Sequence, residues 1–213
     1  MSKAVVVVVG AGPGVSAAVA GEFAHKGHPI LLVSRNQANL DLLAAELKAQ
    51  GAEVATKVAD AAKPGDVAAA IAEVNAPVAA LVYNAAAWGG PLLEADDAAL
   101  RSATEVNLYS IIAATKAALP GLKQAEGVVL ITGGGFAMFP SSQFGVLSVG
   151  KAMTRSAAFL LAEELKPQGV RVHTVTIAGT VDPATNFAPA NIAKTYLELF
   201  ENPNSPVEVV FQG

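Results

Sequence analysis

Short β-branched runs alternate along this chain with longer Ala/Leu-rich segments at helical spacing. The first run, AVVVVV at 4–9, has no polar alternation and predicts a strand covered on both faces. It leads into GVSAAVAGEFAHKG, a helix stopped at Gly27. PILLVS (29–34) is a second strand, and NLDLLAAELKAQG a second helix closed by Gly51. EVATKVAD (53–60) reads as the third strand, followed by a helix from Pro64 to about Asn75 whose proline suits a first turn. PVAALVYN (77–84) is the fourth. A long helical region from Asp96 to about Leu119 is expected to break at LPG (119–121), because proline brings no amide donor. GVVLITGGG (127–135) is a fifth strand with its loop, and a helix over 144–165 leads to the sixth strand, VRVHTVTI (170–177). A last helix near 189–200 and the strand VEVVF (207–211) follow.

This order predicts an α/β fold, a Rossmann-type doubly wound parallel sheet of about seven strands with helices on both faces. No repeat, linker or low-complexity stretch divides the chain, so residues 1–213 read as a single dinucleotide-binding domain. A ligand is expected at the carboxyl ends of the strands.

Composition sharpens this. Hydrophobic residues make up 53% and charged ones only 15%, so heavily buried strands and subunit contacts are expected. The net charge is −4 with scattered basic residues, which argues against nucleic acid or an anionic membrane as partner. Without cysteine, disulfides, thiolate nucleophiles and Cys-ligated metals are excluded. The apolar start is interrupted by glycine and proline short of a membrane span and lacks the pattern of a signal peptide, so a cytoplasmic location is expected. The terminal VEVVFQG partly resembles a protease-site remnant, but its valines read well as a native strand.

Candidate chemistry begins at VVGAGPGVS, a glycine loop between a buried strand and a helix. Glycines let the backbone turn sharply and approach a pyrophosphate held by helix N-terminal amides. Gly10, Gly12, Pro13, Gly14 and Val15 form this candidate cofactor loop, although Val15 stands where a strict G-x-G-x-x-G would end. The bland alternative is a glycine-rich turn with no ligand. Cofactor choice should be set at the end of the second strand, where a carboxylate would favour NAD and an arginine the 2′-phosphate of NADP. The stretch is LLVSRN, with Ser34 and Arg35 and no carboxylate. NADP(H) is therefore expected over NAD(H).

Over nearly its whole length the chain resembles the short-chain dehydrogenase/reductase family. VGAGPGVS keeps Gly10 and Gly14 of the family's first motif, with Val9 for its threonine and Ser16 for its last glycine. VAD ends on Asp60, which with Ala61 resembles the family's adenine contact. YNAA resembles its N-N-A-G stretch through Asn84 and Ala85, and VNLYS places Asn107 at its catalytic asparagine. The resemblance implies an oxidoreductase of carbonyls or alcohols, with Gly179 and Val181 at the cofactor after strand six. It also implies a homodimer or homotetramer.

In that family a tyrosine passes the proton, a lysine four residues later lowers the tyrosine pKa, and a serine holds the substrate oxygen. By that register Lys151 is the lysine, Leu147 stands at the tyrosine position and Gly134 at the serine position. The tyrosines of this chain, Tyr83, Tyr109 and Tyr196, all lie off that helix. Asn107 and Lys151 thus remain as the catalytic remnant, and a water they hold could relay a proton. Lys151 is expected chiefly as a contact to the cofactor ribose, which the family's lysine also binds, with a plain surface lysine as the bland alternative. The segment after strand six is short, so the site is expected to be open. Two functions follow: an NADP(H)-dependent oxidoreductase with a degraded active site, or a non-catalytic dinucleotide-binding sensor or partner-binding pseudoenzyme.

Other clusters carry less. His25 and His28 lack a third ligand for a metal and suit a helix C-terminus, and His173 reads as a packed strand residue. No G-x-S-x-G elbow supports a hydrolase.

Overall fold

The computed structural model describes residues 3–213. Seven parallel strands form one sheet: β1 (Val5–Val9), β2 (Ile30–Ser34), β3 (Val54–Val58), β4 (Val78–Tyr83), β5 (Val128–Gly134), β6 (Arg171–Ile177) and β7 (Glu208–Phe211), in the order β3-β2-β1-β4-β5-β6-β7. Between them run α1 (Val15–His25), α2 (Gln37–Ala49), α3 (Pro64–Ala72), α4 (Asp97–Thr104), α5 (Ser110–Ala125), α6 (Gly145–Leu165) and α7 (Pro189–Glu201). The Rossmann-type architecture expected from the sequence is the one observed.

The unbroken valine run has a direct explanation. Val6 and Val8 of β1 join Phe23, Leu40 and Tyr196 in the core beneath α1, α2 and α7. Val7 and Val9 point the other way, to Ile71, Ile111 and Ala158 beneath α3, α5 and α6. Successive side chains alternate between faces, and both faces are covered, so no polar position is tolerated. The strand order reverses at β1 and β4, which opens a crevice at their carboxyl ends.

The break expected at LPG does not occur. α4 passes through a π-helical turn (Glu105–Tyr109) into α5, which continues through Pro120 to Ala125. Pro120 and Lys116, four residues earlier, are both exposed, so the hydrogen bond that proline removes lies on the solvent side, where its loss is tolerated. Gly121 meanwhile lets the helix press on the sheet, since a Cβ there would come 2.7 Å from Val78 Cγ2. The helix ends instead at Glu126, in the left-handed conformation (φ 50°), with the Gly127 amide donating to Leu122 O at 2.8 Å. α2 also begins earlier than its apolar spacing suggests, because the Asn36 side chain accepts from the Asn39 amide at 3.1 Å and caps it.

β7 is fixed by charge as well as by pairing. Glu208 accepts from Arg155 of α6 at 2.6 Å and from Thr176 of β6 at 2.6 Å.

Candidate cofactor and active site

β1 ends in the glycine loop, and its geometry depends on missing side chains. Gly10 has φ 79°, and a Cβ there would lie 2.4 Å from the Ala85 amide nitrogen. The ends of β1 and β4 therefore meet backbone to backbone, joined by Asn84 N to Val9 O at 2.8 Å. Gly14 (φ 94°) opens α1 with no side-chain cap, and no atom lies within 4 Å of where its Cβ would be. The first amides of α1 thus lack a side-chain cap, and uncapped N-terminal amides suit a phosphate. Ser16 closes the loop: its hydroxyl accepts from Gly12 N at 3.1 Å and donates to Gly12 O at 3.0 Å. Sequence reasoning saw Ser16 only as a replaced glycine.

Beside this loop a cleft of about 470 Å³ brings together Gly10, Ser34, Arg35, Asp60, Ala61, Asn84 and Ala85, and Trp88 stands on its wall. Arg35 makes no ion pair among the described residues. Asp60 is held by its own turn, accepting from the Ala62 amide at 3.0 Å. Gly12, Pro13 and Val15 border the loop outside this wall. Gly179 lies beneath the Phe187 ring, and Val181 is exposed.

The remaining candidates lie outside the lining of this cleft. Lys151 is buried, not a surface lysine, and its Nζ donates to the Thr132 carbonyl at 2.8 Å. Burial lowers its pKa from 10.5 to about 8, because the charged form loses its hydration. Leu147 lies one turn earlier on α6, also buried. Gly134 flanks the lysine stem: a Cβ there would be 3.3 Å from Lys151 Cγ and Cε. Asn107 is enclosed in the π-helical turn, where Gly150 makes room for it. Its Nδ2 donates to Ala103 O at 2.9 Å, while its Oδ1 has no partner.

Residues 4–192 match the short chain dehydrogenase family. The chain belongs to that family. Among curated relatives, the very-long-chain 3-oxoacyl-CoA reductase of Neurospora crassa is 32% identical over 79% of this chain and 54% of its own. Estradiol 17-beta-dehydrogenase 11 of Macaca fascicularis is 30% identical over 87% of this chain and 66% of its own. The chain spans about half the length of the first of these. A solved short-chain dehydrogenase from Rhodopseudomonas palustris superposes with a TM-score of 0.88 at 25% identity, covering 99% of this chain and 98% of that one. A metagenomic short-chain oxidoreductase in complex with NADP gives 0.86 at 25% identity, over 99% and 97%.

The chain also contains a polar network that no motif announced. Thr132 Oγ1 donates to Asn84 Oδ1 at 2.8 Å and lies 2.7 Å from the Tyr196 hydroxyl. Asn84 Nδ2 in turn reaches Gly10 O at 3.4 Å. Tyr83 donates to Val106 O at 2.6 Å. Burial raises the pKa of both Tyr83 and Tyr196, so neither phenol is poised to give up a proton. His173 is packed as expected, with Nδ1 2.8 Å from Pro206 O. Ser148, a nearby hydroxyl, is turned to the backbone of Ser141 at 3.1 Å. No described helix is long and apolar enough to cross a membrane.

Proposed function

We propose that the chain binds NADP(H) in the cleft at the ends of β1, β2 and β4. It works there as an oxidoreductase of a carbonyl or alcohol through a weakened proton path. The observation that carries this is the cleft itself, where an unpaired Arg35 and Ser34 stand beside the glycine loop and no carboxylate follows β2. The metagenomic short-chain oxidoreductase in complex with NADP supports the same cofactor.

In this reading the amides around Gly12 and Gly14 receive the pyrophosphate, and Arg35 with Ser34 grips the 2′-phosphate by charge-assisted bonds. Asp60 and Ala61 border the adenine, Asn84 and Ala85 the central ribose, and Gly179 and Val181 the nicotinamide end. The bound cofactor supplies the hydride. The proton is the weak point, since Leu147 has no exchangeable hydrogen and Gly134 no group to orient a carbonyl. Lys151 and Asn107 remain to hold a water that relays it. We further read the chain as one cytoplasmic domain that assembles as a homodimer or homotetramer through α5 and α6.

Calorimetric titration tests the cofactor assignment. NADPH is expected to bind at least about ten-fold tighter than NADH, and Arg35→Asp to abolish that preference. Equal affinities in the unaltered protein, or no loss in the variant, would remove Arg35 from the site. Binding without turnover on any ketone would favour the sensor over the oxidoreductase.

A further inference from the structure

We infer that the substrate end of this site is an uncharged aromatic mouth that takes a bulky, neutral, apolar ketone or the matching alcohol. The inference rests on the cofactor reading above and names its substrate class.

Two loops make the mouth. The one after β4 carries Trp88 and Leu92, and the one after β5 carries Phe136, Phe139 and Phe144. They are docked side by side, with Val146 N donating to Gly90 O at 3.0 Å. A Cβ on Gly89 would lie 2.7 Å from Val146 Cβ, and one on Gly145 would lie 2.9 Å from Leu92 Cγ. Both approaches require glycine. Phe136 and Phe144 stack with ring centroids 5.3 Å apart. Yet Trp88 remains 76% exposed, Phe139 73% and Phe144 39%. Large rings held on ordered loops and left facing solvent mark a site that an apolar partner covers.

Continuity with the cleft identifies the occupant as a small molecule. Trp88 lines the same cavity as Gly10 and Arg35, so the loop after β4 belongs to both the mouth and the dinucleotide cleft. Charge narrows the class further. No Asp, Glu, Lys or Arg occurs between Glu73 and Glu94, or between Glu126 and Lys151. Lys151, the one cation at the end of these stretches, is buried and committed to Thr132 O. Gly135 backs onto Ala178, at the head of a third loop whose charged residue, Asp182, is acidic. An anionic substrate would thus find no basic side chain on these loops to offset its lost hydration, Arg35 being taken by the cofactor phosphate in this reading. A neutral fused-ring ketone loses little and gains stacking on Trp88 and Phe144.

The test titrates the full chain with 2-acetonaphthone and with its carboxylate analogue 6-acetyl-2-naphthoate, by calorimetry, with and without saturating NADPH. The neutral ketone is expected to bind at least about ten-fold tighter than the carboxylate. Phe139→Glu, on an exposed ring outside the cofactor cleft, should weaken the ketone about ten-fold and leave NADPH affinity unchanged. Equal binding of the two probes, or ketone affinity indifferent to Phe139→Glu and to Phe144→Ser, would overturn the inference while NADPH binding kept the cofactor reading intact. Loss of NADPH binding alone, with the ketone still held, would instead sink the cofactor reading. Sedimentation of the free chain supplies the other occupant: a dimer broken by Phe139→Glu would make the mouth an interface between copies and overturn the substrate assignment.

Discussion

The two halves of the sheet solve different problems with the same architecture. From β1 to β4 the family's sequence signals and the geometry agree, with Gly10 pressed on Ala85, Gly14 opening α1, and Asn84 bridging to Gly10 O. From β5 to β7 the backbone is equally regular, yet the side chains around Lys151 are a glycine and a leucine. The contrast separates two kinds of constraint. Close approach of two backbones admits only glycine, so its loss damages the fold. A proton donor on α6 is a side chain on a finished scaffold. A buried leucine such as Leu147 costs the core nothing at such a place, because burial of an apolar side chain is itself stabilising by about 1.5–3 kcal/mol.

Glycines on either side of that divide make the largest test. Gly10→Ala places a Cβ 2.4 Å from the Ala85 nitrogen at φ 79°, and should cost about 3–5 kcal/mol in urea unfolding. Gly134→Ser meets only the flexible Lys151 stem at 3.3 Å, from an extended backbone at φ −161°, and should stay within about 1 kcal/mol. Similar losses at both positions would break the comparison. The second test adds the groups that the proposed proton path lacks. A Leu147→Tyr, Gly134→Ser double variant should raise NADPH-dependent reduction of 2-acetonaphthone by about 10²-fold or more, the scale of general acid catalysis. Unchanged turnover would move the deficit to the short segment between β6 and α7.

A third test uses pH. Lys151 is depressed in the folded chain, from 10.5 to about 8, so between those values the unfolded chain binds more protons than the folded one. Stability must then rise with pH over that window. From pH 7 to 9.5 the gain should be about 2 kcal/mol, seen as a shift in the urea midpoint and absent in Lys151→Met. Above pH 10 the sign reverses. Tyr83 and Tyr196 are raised by burial, so the stability their neutral phenols contribute is lost as the unfolded tyrosines ionise. A flat profile between pH 8 and 9.5 would mean that Lys151 is hydrated.

Much of this was legible along the chain, and the reason is locality. The valine run states that β1 is covered on both faces, and Gly27 and Gly51 end their helices at φ 80° and 87°, where only glycine is comfortable. LPG misled because a proline rule is local, whereas α5 is held by its packing on β4 and loses one solvent-side bond. The inward turn of Lys151 was not legible either. A lysine on a helix face carries no sign of whether its ammonium reaches a ribose or the Thr132 carbonyl. Pairs such as Arg155 with Glu208, 53 residues apart, exist only once the strands are stacked.

The least visible of these long-range links bears most directly on whether the halves are separable. Thr132 has one hydroxyl hydrogen and gives it to Asn84 Oδ1, so the 2.7 Å contact with Tyr196 must have the phenol as donor. A residue of α7 thereby orders a β5 hydroxyl, which fixes the Asn84 amide so that its Nδ2 faces Gly10 O in the cofactor loop. Tyr196→Phe keeps the ring in its core and deletes only the donor. No buried donor is stranded, so the loss should be small, about 1 kcal/mol in urea unfolding. NADPH affinity reports the coupling separately. A two- to three-fold weakening, about 0.5 kcal/mol, together with faster amide exchange at Gly10 and Ala11, would show that the carboxyl half holds the cofactor loop in place. The same stability loss with unchanged NADPH affinity would mean that the network only packs α7 and that the two halves act independently.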